Sequence, residues 1–116
     1  MDDVNAALWF SEWLREPPDF GPATEALNLW IATDPERAWS FILLLIERAP
    51  TEHALDCVAA GPMEDLLTAH GETFIDRVEH AAKTDQRFKR CLGNVWGDFS
   101  FAPEINRRVK AAYTTG

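Results

Sequence analysis

Asp34-Pro35-Glu36-Arg37-Ala38-Trp39-Ser40-Phe41-Ile42-Leu43-Leu44-Leu45-Ile46-Glu47-Arg48 decides the fold. An aspartate immediately before a proline places a capping carboxylate at a helix start and a residue with preset φ in the first turn. The run Phe41–Ile46 that follows is apolar on every side of a helix, so the segment near residues 35–48 is expected to be the buried centre of the molecule. The run is far shorter than the roughly 18 residues a spanning helix needs, and no membrane crossing is expected.

Punctuation outward from this segment repeats the same grammar. Towards the N-terminus, a helix is predicted from about Asp2 to Arg15, before Glu16-Pro17-Pro18, and another from about Pro22. Towards the C-terminus, Pro50-Thr51 stops the central helix and caps the next, which carries Leu55 and Val58. Gly61-Pro62 is expected to end that helix and start another, closed by Gly71. Phe74, Ile75, Val78 and Ala82 mark a sixth helix, and Asp85 caps a seventh with Phe88, Cys91, Leu92, Val95 and Trp96 inside. Residues 97–102 read as a loop, and Pro103 opens the last helix with Ile105, Val109 and Ala112 inward. No segment alternates as a half-buried strand does. The expected fold is all-α: one domain over residues 1–116, a compact irregular stack of seven or eight short helices in a helical-hairpin array.

Charge is uneven along the chain. Of 116 residues, 19 are acidic and 11 basic, a formal net charge of -8. Residues 1–36 carry eight acids and one base (net -7), residues 37–82 eight and three (net -5), and residues 83–116 three and seven (net +4). That balance argues against direct binding of nucleic acid, whose phosphates this field repels. Asp2 and Asp3 stand where an export signal would be positive, and Cys57 and Cys91 are too few and too far apart for a disulfide framework or a zinc site. A cytoplasmic protein with reduced, buried cysteines is expected.

No set of residues completes a catalytic or metal centre. His53 and Cys57 share a helix face, as do Glu72, Asp76 and His80, yet neither group supplies the three or four converging ligands a metal needs. Glu64 and Asp65 with His70 are the one candidate acid-base group. The same residues are explained by helix-end complementarity, acids in a first turn and a histidine near a carboxyl end. The protein is therefore expected not to be an enzyme and to need no cofactor or metal; Glu64, Asp65 and His70 remain an alternative pocket.

Pro35-x-x-Ala38-Trp39-x-Phe41-Ile42, Ala60-Gly61-Pro62-Met63-Glu64-Asp65-Leu66-Leu67, His70-Gly71, Phe74-Ile75-Asp76 and Phe88-x-x-Cys91-Leu92-x-x-Val95-Trp96 together resemble an uncharacterised family of small bacterial proteins, a domain of unknown function. The likeness spans roughly residues 27–110, and Gly-Pro-x-Glu-Asp-Leu-Leu is its most specific part. The resemblance implies an all-helical fold and a bacterial or phage origin, and no reaction.

The remaining anomaly is aromatic. Trp9 and Trp13 lie four apart with Phe10 beside them, while Val4, Ala7, Leu8 and Leu14 can already supply an inward face for that helix. Either these aromatics fill the core of a short-helix protein, or, left outside among Asp2, Asp3, Glu12, Glu16 and Asp19, they form an anchor ringed by acid, the anatomy of a binding face. Asp2, Asp3, Trp9, Glu12, Trp13, Glu16 and Asp19 are thus the expected contacts for a protein partner with a basic surface. The corresponding function is an acidic inhibitor of bacterial immunity type that neutralises a basic enzyme such as a nuclease toxin. Two readings stay beside it: a phage-encoded nucleic-acid mimic that blocks a bacterial defence complex, as anti-CRISPR proteins do, and a small enzyme or ligand-binding domain. A homodimer that joins the acidic front of one chain to the basic tail of another is also open.

Overall fold

Capping side chains of their own set the starts of three helices in the computed structural model, which describes residues 2–95, 97 and 100–114. Asp34 accepts from the Arg37 amide at 3.3 Å, Thr51 from that of Ala54 at 3.1 Å, and Asp85 from those of Arg87 and Phe88 at 3.0 and 3.3 Å. The resulting helices are α1 (Asp2–Trp13), α2 (Pro22–Thr33), α3 (Pro35–Arg48), α4 (Glu52–Val58), α5 (Glu64–Thr84), α6 (Gln86–Leu92) and α7 (Pro103–Thr114). No strand occurs among the described residues. Trp96, expected inside, and part of the expected 97–102 loop lie outside the described residues.

α3 is central, packing against α1, α2, α4, α5 and α6. It buries Ala38, Trp39, Phe41, Ile42, Leu45 and Ile46 but leaves Leu43 exposed and Leu44 half-buried, so it is covered on most of its circumference rather than all of it. α5 lies chiefly against α7. Trp39 reaches both Phe74 of α5 and Phe88 of α6, with ring centroids 5.5 and 5.8 Å apart. The radius of gyration, 13.3 Å, is that of a close-packed chain of this length, about 13 Å.

Two expected breaks are absent. Ala59–Met63 form a π-helical turn that joins α4 to α5 without interruption. Pro62 has no amide to give an α-helical bond, and a widened turn absorbs that loss without ending the helix. Gly71 does not close a helix either. α5 bends at His70 (φ -136°, ψ 29°) and continues to Thr84. Both glycines are used for closeness instead of termination. A Cβ on Gly61 would lie 2.6 Å from Trp13 Cη2, and one on Gly71 would lie 3.0 Å from Ile105 Cγ2. Each is the spot where another helix lays a side chain directly on the backbone.

Of the two sides that could face inward, α1 buries the aromatic one. Its inner face is Ala6, Trp9, Phe10 and Glu12, whereas Val4 and Leu8 are 71% and 38% exposed and Ala7 is also outside. Large aromatic faces bury more area per residue than the aliphatic alternative, and here they also stack, which decides which side turns inward.

Candidate functional site

The α1–α2 hairpin is organised by one carboxylate. Glu12, 5% exposed, accepts from the amides of Gly21, Ala23 and Thr24, each at 2.9 Å, and from the Thr24 hydroxyl at 2.6 Å. α2 starts with Gly21-Pro22, and no cap side chain of its own is bonded there. Glu12 therefore caps α2 from the neighbouring helix, satisfying amides that would otherwise be orphaned and placing negative charge at the positive end of the helix dipole. Burial works to raise the Glu12 carboxyl; bonds from the Thr24 hydroxyl and from the amides of Thr24, Ala23 and Gly21 outweigh it and hold the group below the ordinary carboxylate value. Trp13 Nε1 donates to the same Thr24 hydroxyl at 3.0 Å.

These placements correct two of the expected contact residues. Glu12 is a buried cap and Trp9 is 1% exposed, so neither side chain presents itself to a partner. What does reach the surface is the far end of an aromatic column. Trp9 stacks on Trp13 (centroids 4.8 Å), Trp13 packs against Phe20 at a tilt of 36° (4.6 Å), and Phe20 is 55% exposed. Phe20 was missed as a candidate. Its signal was its place between the acidic Pro-Pro connection and the glycine that begins the next helix.

The remaining acids of the hairpin split into two groups. Asp3 pairs with Arg48 of α3 at 3.0 Å, and Asp19 with Arg15 at 2.9 Å, both at the surface. Asp2, Glu16 and Glu25 are exposed, with no ion pair among the described residues. The basic tail does not cover them. Its four arginines are engaged elsewhere: Arg87 on the Ile46 and Ala49 carbonyls at the end of α3, Arg90 on Glu52, Arg107 on Glu104, and Arg108 on Asp76 and Glu79.

The alternative pocket does not assemble. His70 lines a shallow groove with Leu67, Thr68, Glu72, Ala102 and Ile105, and neither Glu64 nor Asp65 belongs to it. His70 Nε2 lies 2.7 Å from the Ile31 carbonyl; since a carbonyl only accepts, that nitrogen carries the proton and donates. The histidine thus complements the carboxyl end of α2, not of its own helix. Glu64 and Asp65 follow a continuous helical backbone, so they have no free helix start to complement. Desolvation raises the Asp65 carboxyl even though the residue as a whole is exposed.

The metal candidates are no fuller. Among the described residues no three histidine, cysteine or acidic side chains gather into a ligand set. Asp76 turns to Arg108, which breaks the expected ladder with Glu72 and His80. His53 Nε2 and Cys57 Sγ are 3.9 Å apart on α4, and both cysteines are free. Cys91 is buried, and burial, with Asp56 adding to it against Arg87, pushes its thiol up to about 12; Cys57 is only half-buried and is also raised, by burial and then by Asp56.

A family model covers residues 15–116, taking in α2 to α7 and the connection that leads into them. The chain belongs to DUF6869, a family of unknown function. Compared with curated proteins and with solved structures, it shows no match. α1 precedes the DUF6869 match, although it supplies the cap of α2 and the indole seated on Gly61. Within the matched part, the geometry gives Gly61 and Pro62 an architectural explanation: one admits Trp13 and the other belongs to the π turn. No helix among the described residues is long and apolar enough to cross a membrane.

Proposed function

We propose that this protein is a non-catalytic binding protein whose α1–α2 hairpin covers a basic protein surface, as an inhibitor of a basic enzyme would. One coincidence carries the reading: apolar exposure and unpaired acid occur on the same part of the chain. Val4, Leu8, Phe20 and Leu29, four of the five large hydrophobics left exposed among the described residues, lie on α1, α2 and their connection. The same stretch holds Asp2, Glu16 and Glu25 and the -7 balance of residues 1–36. Acid steers a basic partner into encounter, and desolvated apolar side chains slow its departure. Leu8 and Ser11 on α1 and Pro22 on α2 flank an open groove between the two helices, with Arg15 and Asp19 also lining it.

The reading is tested by capture on the immobilised protein, followed by titration of the captured partner against two variants of equal net charge. Asp2→Lys/Glu16→Lys/Glu25→Lys is expected to weaken binding at least about ten-fold, whereas Glu47→Lys/Asp56→Lys/Glu72→Lys, on α3, α4 and α5, changes it less than about three-fold. Equal losses from the two, or the lack of any saturable partner, sinks the proposal.

A further inference from the structure

Two aromatic rings carry a cation, and a third, the most exposed of the three, carries none among the described residues. Trp30, half-buried at the end of α2, has the Arg37 guanidinium over its ring at 4.1 Å, and Phe74 has that of Arg77 at 4.9 Å. Phe20 is more exposed than either, yet among the described residues no cation lies over it. Arg15, the basic residue of its own connection, is turned to Asp19. One face of the Phe20 ring is held by Trp13, which is fixed in turn by Trp9 and by the Thr24 hydroxyl. The ring is therefore backed by a rigid column and flanked in sequence by Glu16 and Asp19.

We infer that Phe20 is an arginine-binding platform, where the guanidinium of a basic partner stacks on the open ring while Glu16, the acid of this connection not engaged by Arg15, meets its charge. A planar, weakly hydrated guanidinium suits this arrangement better than an ammonium group, because it can lie flat on a ring and still direct its N–H groups at carboxylates. The column matters because a pre-positioned ring loses little freedom on binding. This inference rests on the reading of the hairpin as a face for a basic partner and specifies the side chain that face selects.

The experiment uses the full chain with nona-arginine and nona-lysine peptides as probes, read by tryptophan fluorescence and by calorimetry at two salt concentrations. Nona-arginine is expected to bind several-fold more tightly than nona-lysine and to quench emission from the Trp13 column. Phe20→Ala should remove that preference while leaving nona-lysine unchanged. Phe20→Leu, which keeps an apolar cover over Trp13, should remove it as well and guards against a folding defect. Equal binding of the two peptides, untouched by either variant but weakened by Asp2→Lys/Glu16→Lys/Glu25→Lys, overturns the platform and leaves the acidic hairpin standing. Failure of both peptides to bind removes both.

Discussion

The hairpin α1–α2 and the pair α5–α7 use charge in opposite ways. In α5–α7 the ion pairs are mostly at the surface, and they cancel: Arg108 reaches Asp76 and Glu79, and Arg107 reaches Glu104 on its own helix. In the hairpin one acid is buried and indispensable, two pair at the surface with arginines, and others face water with nothing opposite. Surface pairs in water contribute little, whereas a buried carboxylate with four donors leaves all four unsatisfied when it is removed. The buried, fully bonded carboxylate thus belongs to the hairpin, and the thinly stabilising surface pairs to α5–α7.

Removing the cap should give the largest effect. Glu12→Ala orphans three amides and the Thr24 hydroxyl, and a loss of about 2–4 kcal/mol in urea unfolding is expected. A loss under about 1 kcal/mol would mean that water replaces the carboxylate easily, and the contrast between the two regions would collapse. The pH dependence gives an independent check. Because the folded-state carboxyl is held below its ordinary 4.5, its contribution is complete above that value and is lost as pH falls through the lower folded value. The melting-temperature gap between wild type and Glu12→Gln should therefore be widest at neutral pH and narrow below about pH 4.5.

The next effect is steric. Gly61→Ala drives a methyl group to 2.6 Å from Trp13 Cη2, and the ring cannot slide away freely because Trp9, Phe20 and Thr24 hold it. Overpacking of about 1–3 kcal/mol is expected, partly offset by the roughly 0.5–1 kcal/mol that alanine gains over glycine in a helix. A double-mutant cycle sharpens the attribution. In a Trp13→Ala background the same substitution should become neutral or slightly stabilising, and an unchanged penalty there would show that the π turn, not the indole, requires the glycine.

How far these sites could be read from residues alone follows from the range of the interactions. Asp34, Thr51 and Asp85 act within three residues of themselves, so the helix starts they cap and the all-α class were legible. Glu12, His70 and Arg87 also complete helix ends, but at separations of 9 to 12, 39 and 38 to 41 residues. Nothing local distinguishes such a side chain from a solvated one; Glu12 looked like surface acid, and His70 looked like a cap for its own helix. Gly61-Pro62 and Gly71 misled for a related reason. The ambiguity of glycine between a stop and a close approach is resolved only by the partner helix, here the Trp13 ring and Ile105. The candidate site was therefore legible in its charge and position, and illegible in which aromatic remained outside.

The smallest predicted difference lies within the α5–α7 pair, between two adjacent arginines of α7. Arg108 is the less exposed of the two; it engages Asp76 and Glu79 of α5, and its guanidinium and the Glu79 carboxylate are both about a third exposed or less. Arg107 pairs with Glu104 three residues back on the same helix, both well exposed. A bridge within one helix surface stabilises little beyond that helix, while Arg108 joins two helices and is partly shielded from solvent. Arg108→Ala should therefore lower the urea-unfolding midpoint measurably at low salt, and Arg107→Ala should lower it clearly less. Raising the salt should shrink the Arg107 effect more completely than that of Arg108, because screening acts first on exposed charge. Equal costs at both salt concentrations would mean that Arg108 adds nothing to the packing of α7 on α5, and the cohesion of that pair would rest on its apolar contacts alone, Ile105 on Gly71 among them.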